Sequence, residues 1–201
     1  MSQPARRTQA ERSGEMRERL AKAAYDVIAE RGHSAFRTAP VLTHAAVSQG
    51  AMLHHFPTKE SLTLAAIDHA LNLGSEATRA RIDAAGRDVR AILQAMAEDF
   101  QDFFMGNRFW VSLDITMDAA KDATVAPAIR GIVAQARRPV YQQWESALTR
   151  AGWDAARAGE VVAMTAALIS GYAIRSLWTD DTDALNTVLD HLFGFLTRQA
   201  Q

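Results

Sequence analysis

The sequence contains no cysteine among its 201 residues, which excludes both disulfide bonds and metal centres built on thiolate ligands. A chain without disulfides is typical of a reducing compartment. The first twelve residues carry three arginines and no apolar run of the kind found in secretion signals. We therefore expect a cytoplasmic protein.

Glycine and proline are also scarce, at 11 and 5 residues, which is too few to punctuate the many turns of a β-rich fold. No segment shows sustained alternation of β-branched and polar residues. Long hydrophobic runs are missing as well. The longest apolar stretch, 161–174, is interrupted by Thr165, Ser170 and Gly171, and a bilayer-spanning helix needs roughly 20 apolar residues. These absences predict an all-α protein that has no membrane partner.

Charge of one sign is nearly absent overall, because the net charge is −1, but the two signs are unevenly distributed. Residues 1–60 hold nine Lys and Arg against six Asp and Glu, together with four of the six histidines. A basic segment on an acidic chain is the distribution expected if only that segment meets phosphate groups. The same uneven charge distribution is also typical of an ordinary solvated surface. Charge alone therefore does not distinguish a phosphate-binding segment from such a surface, and the motifs below are needed.

Capping residues and apolar periodicity predict four helices in the first third of the chain. Gly32 marks the end of the first helix and Pro57 the end of the third, because a residue before proline is pushed out of the helical region. Only two residues separate the second helix from the third, which makes a tight helical corner. The predicted helices, each with its capping residue, are 13–32 (Ser13), 38–45 (Thr38), 49–55 (Ser48) and 58–74 (Thr58).

The remaining two thirds of the chain show longer helical patterns. Residues 74–88 are polar and are predicted as a connection between a small head and a larger body. Pro139 falls inside one pattern and is expected to kink or split that helix. The predicted body helices are 89–106, 109–120, 125–151, 154–178 and 181–199.

The segment AAVSQGAMLHHFPTKESL, residues 45–62, has the physical features of a DNA recognition helix. Ser48 leaves backbone N–H groups available at a helix N-terminus, where a phosphate can bind. Gly50 is small enough to let the helix approach a major groove, and Gln49 can read a base edge through paired hydrogen bonds. Side chains that can donate hydrogen bonds to the flanking phosphates are His54, His55 and Lys59.

This segment resembles the helix-turn-helix signature of the TetR family, in which a small-residue turn leads into Val-Ser-x-Gly-Ala, a bulky residue, His, Phe and a Lys-Glu helix start. The match covers residues 13–70 and is continuous over 47–62. The resemblance implies an all-α protein with an N-terminal arm and a three-helix helix-turn-helix DNA-binding domain, followed by a larger helical ligand-binding and dimerisation domain. The implied domains are 1–57 and 58–201, with 58–74 as the connecting helix.

Carried over residue by residue, the resemblance implies DNA contacts from this segment and from the start of the helix before it. Three positions depart from the family pattern. Ala46 replaces the common turn glycine, Leu53 stands where a phosphate-contacting tyrosine is usual, and Pro40 is unusual in the helix before the turn. The implied contacts are to bases from Gln49 and Gly50, and to phosphates from Thr38, Ser48, His54, His55 and Lys59, with Leu53 at the tyrosine position.

Aromatic and methionine side chains concentrate in the body helices. An aromatic stripe at helical spacing packs into a core more often than it binds a ligand, so the pattern alone leaves both interpretations open. TetR-like bodies generally enclose an apolar pocket, and the resemblance therefore implies a small apolar effector. The candidate ligand-binding residues are Phe100, Phe104, Phe109, Trp110, Met117, Trp144, Met164, Leu168 and Tyr172.

The last two predicted helices carry broad apolar stripes. The helix before last has Val161, Met164, Leu168 and Tyr172 beside several small residues. Stripes too broad for a lone surface helix predict a homodimer in which both copies contribute these two helices to a four-helix interface. The stripe of the final helix consists of Leu185, Val188, Leu189, Leu192, Phe193 and Leu196.

Two other classes of function remain open: a small helical enzyme or carrier that uses the aromatic body, and a helical protein–protein adaptor. The sequence contains no triad order, phosphate-binding glycine loop or dinucleotide fingerprint that would support an enzyme. Glu30-x-x-His33 is half of a helical metal motif that Gly32 interrupts, so neither a metal nor another cofactor is expected. We favour a ligand-responsive repressor that binds a double-stranded DNA operator and is not an enzyme.

Overall fold

The computed structural model describes residues 8–72, 75–124, 126–179 and 182–198, and every regular element in these ranges is an α-helix. The predicted all-α class is therefore confirmed. The helices are α1 (Gln9–Arg31), α2 (Thr38–Ala45), α3 (Gln49–His55), α4 (Lys59–Asn72), α5 (Ser75–Ala85), α6 (Val89–Phe104), α7 (Asn107–Ala119), α8 (Ala126–Arg150), α9 (Ala155–Arg175) and α10 (Thr182–Arg198).

Helix α1 begins earlier than the sequence predicted, because its N-cap is Thr8 and not Ser13. The Thr8 hydroxyl oxygen accepts a hydrogen bond from the Glu11 backbone N–H, and the Glu11 carboxylate accepts one from the Thr8 N–H at 2.7 Å. This reciprocal capping box satisfies two N–H groups at the helix start. The added turn is polar, so a search for apolar periodicity passes over it.

Helices α2 and α3 lie at their predicted bounds. The predicted caps of α3 and α4 are also confirmed, since Ser48 Oγ accepts from the Ala51 N–H at 3.2 Å and Thr58 Oγ1 from the Ser61 N–H at 3.0 Å. The prediction for Thr38 is wrong. Thr38 is the first helical residue of α2, and the N-cap position belongs to Arg37, whose side chain makes no capping hydrogen bond.

The segment 74–88, predicted as a polar connection, contains helix α5. Its buried residues Thr78 and Ile82 are one turn apart, but the segment has no apolar stripe from which a helix could be predicted. Polar contacts with α6 hold the helix instead: Thr78 Oγ1 donates a hydrogen bond to Asp99 Oδ2 at 2.8 Å, and Arg81 pairs with the same aspartate. The partner that stabilises α5 lies some 20 residues away, so the local sequence does not reveal it.

The sequence predicted that Pro139 would kink or split its helix. Helix α8 is continuous through Pro139, which excludes the split, and the kink stays a prediction. Proline removes one backbone donor, but the buried side chains of Val140 and Trp144 anchor the following turns. The predicted first residue of this helix, Val125, lies outside the described residues, as do the predicted ends of the last helix at 181 and 199. Among the residues that the structure describes, none of the helices combines the length and apolar character that crossing a bilayer requires.

The chain divides into two compact units: Met1–Leu71 with Val111–Val133, and Asn72–Trp110 with Ala134–Gln201. The predicted domain boundary after residue 57 was based on the end of the helix-turn-helix segment, and it stays a prediction. The first unit is organised around α1, whose buried side chains include Leu20, Val27 and Ile28. The large buried side chains of the second unit include Ile92, Leu93, Met96, Phe100, Trp144, Ile169 and Leu185.

The turn between α2 and α3 depends on a residue in the left-handed conformation. Ala46 has φ 52° and ψ 50°, and it is the only non-glycine residue with positive φ in the described ranges. This geometry lets the next amide, from Val47, reach the Leu42 carbonyl at 3.1 Å. An L-residue with a Cβ loses roughly 1 to 2 kcal/mol in this conformation, whereas glycine adopts it readily.

Replacing Ala46→Gly should therefore raise the free energy of unfolding by about 1 kcal/mol, less than the full steric term because glycine also gains entropy in the unfolded chain. Urea denaturation followed by circular dichroism measures the change. Ala45→Gly is the matched control: Ala45 is helical and buried, so this variant should lose about 1 kcal/mol. An Ala46→Gly protein no more stable than the wild type would show that the turn is unstrained.

Candidate nucleic-acid interface and effector site

Helix α3 has one buried face and one exposed face. Met52 and Phe56 are both 3% exposed and pack the helix into the first unit. The residues expected to read bases therefore lie on the opposite, solvent-facing side, and Met52 belongs to the core. The exposed residues of α3 are Gln49, Gly50, Leu53 and His54.

Three of the candidate phosphate donors lie at the starts of three helices. Lys59 is exposed at the first turn of α4, with its ammonium 5.6 Å from the centre of the Phe36 ring. Thr38 is half-buried at the start of α2. Ser48 uses its oxygen as an acceptor to cap α3, which leaves the hydroxyl proton for an outside acceptor. The structure thus presents these donors at helix starts.

His55 is half-buried at the end of α3, with its ring 5.1 Å from that of His54. Burial lowers the pKa of His55, and the charges of His54 and Arg17 lower it further. A lowered pKa keeps this imidazole neutral at pH 7. His55 can then donate one N–H to a phosphate, but it does not add the positive charge that histidine enrichment suggested.

Arg17 belongs to this surface although the sequence analysis did not select it. Its guanidinium donates a hydrogen bond to the His55 carbonyl at 3.1 Å and lies 4.8 Å from the centre of the Phe56 ring. The side chain is exposed, so it adds a fixed positive charge beside the end of α3. Arg17 is separated from His55 by 38 residues, and only the docking of α3 on α1 brings them together.

The half metal motif at Glu30 and His33 has a structural explanation. His33 Nδ1 lies 2.7 Å from Asp118 Oδ2, and the His33 backbone N–H donates to Asp114 Oδ2 at 2.6 Å. Hydrogen bonds from Lys121 and then from His33 lower the pKa of Asp118, which keeps the carboxylate charged. The loop after α1 is therefore tethered to α7 within the first unit.

In the second unit, four of the candidate effector residues form a chain of ring contacts. The ring centres are 6.2 Å apart for Phe100 and Phe104, 5.1 Å for Phe104 and Phe109, and 5.3 Å for Phe109 and Trp110. All three pairs have the edge-to-face arrangement that aromatic rings prefer. Phe100 and Phe104 are buried, whereas Phe109 and Trp110 are half-buried, so the chain of rings leads outward from the core.

The other candidate effector residues have different surroundings. Trp144 is fully buried, and its indole N–H donates to Asp99 Oδ2 at 3.0 Å. Met117 is 62% exposed and belongs to the first unit. The candidates on α9 are not in its buried core; they are exposed or half-buried. These residues are Met164, Leu168 and Tyr172.

A polar cluster that was not predicted from the sequence lies on α5, α6 and α8. Asp99 accepts hydrogen bonds from Thr78, Trp144 and Arg81, and Arg81 also pairs with Asp102. Charged residues on otherwise apolar helical faces were the available signal, because such positions are seldom buried without partners.

Comparison with known proteins now assigns the family. A family model described as "Bacterial regulatory proteins, tetR family" matches residues 20–66, which span α2, α3 and most of α4. The HTH-type transcriptional regulator CymR of Pseudomonas putida is 35% identical over 185 residues, which is 92% of this chain and 91% of that protein. The chain belongs to the TetR family. It is a DNA-binding transcriptional regulator and not an enzyme, which confirms the resemblance seen in the sequence.

Solved structures share the fold of this TetR-family regulator. A transcriptional regulator from Streptomyces coelicolor A3(2) has a TM-score of 0.69 at 20% identity, over 88% of this chain and 95% of that one. A regulator from Saccharomonospora viridis in complex with choline has a TM-score of 0.67 at 22% identity, over 92% and 96%. The multidrug binding protein EbrR complexed with imidazole has a TM-score of 0.61 at 24% identity, over 89% of both.

Gly50 offers a direct test of the α3 surface. A Cβ added at Gly50 would meet no atom within 4 Å, so packing within the chain does not require glycine there. Glycine inside a helix is less stable than alanine by roughly 0.5 to 1 kcal/mol. Gly50→Ala should therefore stabilise the fold by about that amount while weakening operator binding, because the added methyl group meets the groove floor.

Urea denaturation and fluorescence anisotropy on labelled operator DNA measure the two effects of Gly50→Ala separately. The matched control is Gly131→Ala on α8, where an added Cβ also meets no atom within 4 Å. This variant should gain similar stability and retain full operator affinity. Equal operator affinity for Gly50→Ala and the wild type would contradict close approach of α3 to DNA.

Proposed function

We propose that this TetR-family regulator is a cytoplasmic homodimeric repressor that a small effector releases from a double-stranded DNA operator. The exposed face of α3 carries the DNA-binding part of the proposal. There, Gln49 stands beside a glycine that internal packing does not need, and Arg17 contacts the C-terminal end of the helix. Lys59 begins the next helix. A base-reading amide combined with phosphate-binding cations is what sequence-specific recognition uses.

The roles differ among the proposed contacts. Gln49 reads a base edge through its paired donor and acceptor, and Gly50 allows the approach. Leu53, exposed and apolar, meets a thymine methyl group or a sugar in place of a phosphate. Phosphate contacts, which position the helix without reading sequence, come from Thr38, Ser48, His54, His55 and Lys59.

Titration of wild type and variants against a set of operator sequences tests this assignment. Gln49→Ala should cost roughly 1 to 3 kcal/mol and relax the preference at one base position. Lys59→Ala should weaken all sequences alike and lower the salt dependence by about one phosphate contact. Lys121→Ala removes another exposed lysine of the first unit, outside the proposed contacts, and should change neither property.

Two outcomes would contradict the DNA-binding roles. If Gln49→Ala weakens every sequence equally, the residue does not read a base. If the wild type binds duplex DNA without a steep dependence on salt, the enzyme, carrier and adaptor alternatives would be favoured again. None of these functions requires the release of counterions from phosphate.

The homodimer is supported by where the exposed apolar side chains lie. In α10, Leu185, Leu189, Phe193 and Leu196 are buried within the chain itself, so these residues do not form the interface. The large apolar side chains left exposed in the second unit follow α9, the turn after it and α10, as expected of an association surface. They are Met164, Ile174, Leu177, Trp178 and Phe195.

Small exposed residues on α9 would let a second copy approach closely. Ala163, Ala167 and Gly171 are exposed and lie one turn apart along the helix. We propose that this stripe and Phe195 meet the same surface of a second chain, which gives a two-fold interface of four helices. We thus keep the prediction that the last two helices of each copy form the interface. The contacts proposed here come from the exposed side of these helices and not from the buried residues of α10.

Phe195→Glu should convert the dimer to a monomer and strongly reduce operator affinity, because one particle no longer engages two half-sites. Phe195 is 51% exposed, so the variant should keep its helical circular dichroism. Met117→Glu is the matched control, since it also charges an exposed apolar residue but lies outside α9 and α10. Sedimentation measures the change. A wild type that sediments as a monomer at micromolar concentration would contradict the interface.

Effector release is supported by the residues that α7 supplies. Its first turns contribute Phe109 and Trp110 to the ring contacts, and its later turns contribute Asp114 and Asp118 to the His33 tether. We propose that an effector bound against the rings displaces α7, and through the tether displaces the loop after α1. The effector must bind the displaced arrangement more tightly, because equal affinity for both arrangements would shift nothing.

A further inference from the structure

The second unit contains a buried cation whose hydrogen-bonding groups are not all used. Arg137 on α8 is only 9% exposed. Its Nε and Nη2 atoms are buried and have no hydrogen-bond partner. Donors on a charged group are expensive to bury unpaired. Such a group in a native protein requires an explanation, and a bound acceptor that is absent from the chain itself is one.

The two unused donors have a specific geometry. Nε and Nη2 lie on the same side of the planar guanidinium, and their N–H bonds point in nearly parallel directions. This edge matches the two oxygens of a carboxylate, which can accept both hydrogen bonds at once. A single water or carbonyl oxygen does not satisfy both donors equally well. The unused edge of Arg137 therefore suits a carboxylate.

Aromatic rings surround the same guanidinium. Its central carbon lies 3.8 Å from the centre of the Phe103 ring, 5.2 Å from that of Tyr141 and 5.6 Å from that of Phe104. Burial lowers the pKa of Arg137, with Tyr141 and Asp99 acting in the opposite direction. An arginine nevertheless stays protonated in proteins. The ring faces offset part of the charge but accept no hydrogen bond at the Nε edge.

The carboxylates of this region are already engaged. Asp99 accepts from three donors, one of them on Arg81, and Asp102 pairs with Arg81 as well. Arg108 adds a further cation, with its guanidinium carbon 5.6 Å from the centre of the Phe103 ring. Among the ion pairs of the described residues, both aspartates pair with Arg81 and neither pairs with Arg137. A bound anion would give Arg137 a carboxylate partner.

We propose that the effector is a small carboxylate with a ring-bearing apolar body, held by the Nε and Nη2 donors of Arg137. This inference rests on the proposed effector-controlled function. The ring of the ligand packs against Phe104 and the half-buried rings of Phe109 and Trp110. Phe104 and Phe109 each contact the Phe103 ring, and Trp110 contacts Phe109. The proposal refines the apolar effector expected from the sequence by giving it one anionic end.

The competing explanation is that Arg137 only stabilises the fold by stacking on aromatic rings. A stacking role predicts lower stability after substitution but no preference between charged and neutral ligands. The two explanations therefore predict different affinities for two ligands that have the same shape but a different charge.

Calorimetric titration of the wild-type protein with benzoate and benzamide, repeated with phenylacetate and phenylacetamide, makes that comparison without a variant. Each carboxylate should bind at least about tenfold more tightly than its amide, because charge-assisted hydrogen bonds to a buried arginine are lost with the amide. Amides that bind as tightly as the acids, or acids that do not bind, would overturn the proposal.

Variants then locate the preference. Arg137→Gln should lower benzoate affinity about tenfold or more and leave benzamide affinity unchanged. Arg138→Gln is the matched control, because it makes the same charge change at the neighbouring, exposed position of α8. If Arg137→Gln does not fold, Arg137→Lys keeps the charge but loses the paired donors, and should still bind benzoate several-fold more weakly. Wild-type affinity in the variant that folds would overturn the assignment.

Operator binding separates this inference from the proposed function. Anisotropy of the wild-type protein with operator DNA and no ligand tests the repressor by itself, and Arg138→Gln should retain that affinity. If the operator binds but the carboxylates do not, only the carboxylate site fails. If benzoate binds through Arg137 but leaves operator affinity unchanged, the site stands and effector release fails.

Discussion

The DNA-binding surface depends on the packing of two short helices into the first unit, where α2 lies against α1. Helices α2 and α3 contain eight and seven residues, and isolated helices shorter than about 12 to 15 residues are marginal in water. They persist because Val41, Met52 and Phe56 are buried in the first unit. Burial of Met52 turns the other face of α3 toward the solvent. Gln49 lies on that face and is therefore accessible to DNA.

The second unit is held by a different kind of interaction. Asp99 is buried and accepts hydrogen bonds from an alcohol and a guanidinium of α5 and from an indole of α8. A buried carboxylate with every partner present gives a unique arrangement, whereas one with a partner missing would destabilise the fold. Because Arg81 uses its charge on Asp99 and Asp102, Arg137 has no carboxylate of its own. The network that orders the unit thereby leaves a cation suited to a ligand.

Local signals explain which elements could be predicted. Ser48, Thr58 and Pro57 act within three residues of their own positions, and the bounds of α3 followed from them. Helix α5 was missed because Thr78 and Arg81 are satisfied by a residue of another helix, and the Thr8 cap was missed because its helical turn is polar. Pro139 shows the converse, because the helix continues through this local breaker where the side chains that follow it, Val140 and Trp144, are buried.

The all-α class, the helix-turn-helix segment and the family could all be predicted, since helical periodicity, caps and a continuous signature are properties of neighbouring residues. Which side of each helix faces the solvent depends on the tertiary structure. It placed Arg17 beside α3, sent Leu189 into the core while leaving Phe195 exposed, and enclosed Arg137 among rings. Burial and charge pairing depend on residues far apart in the chain, and no local pattern contains that information.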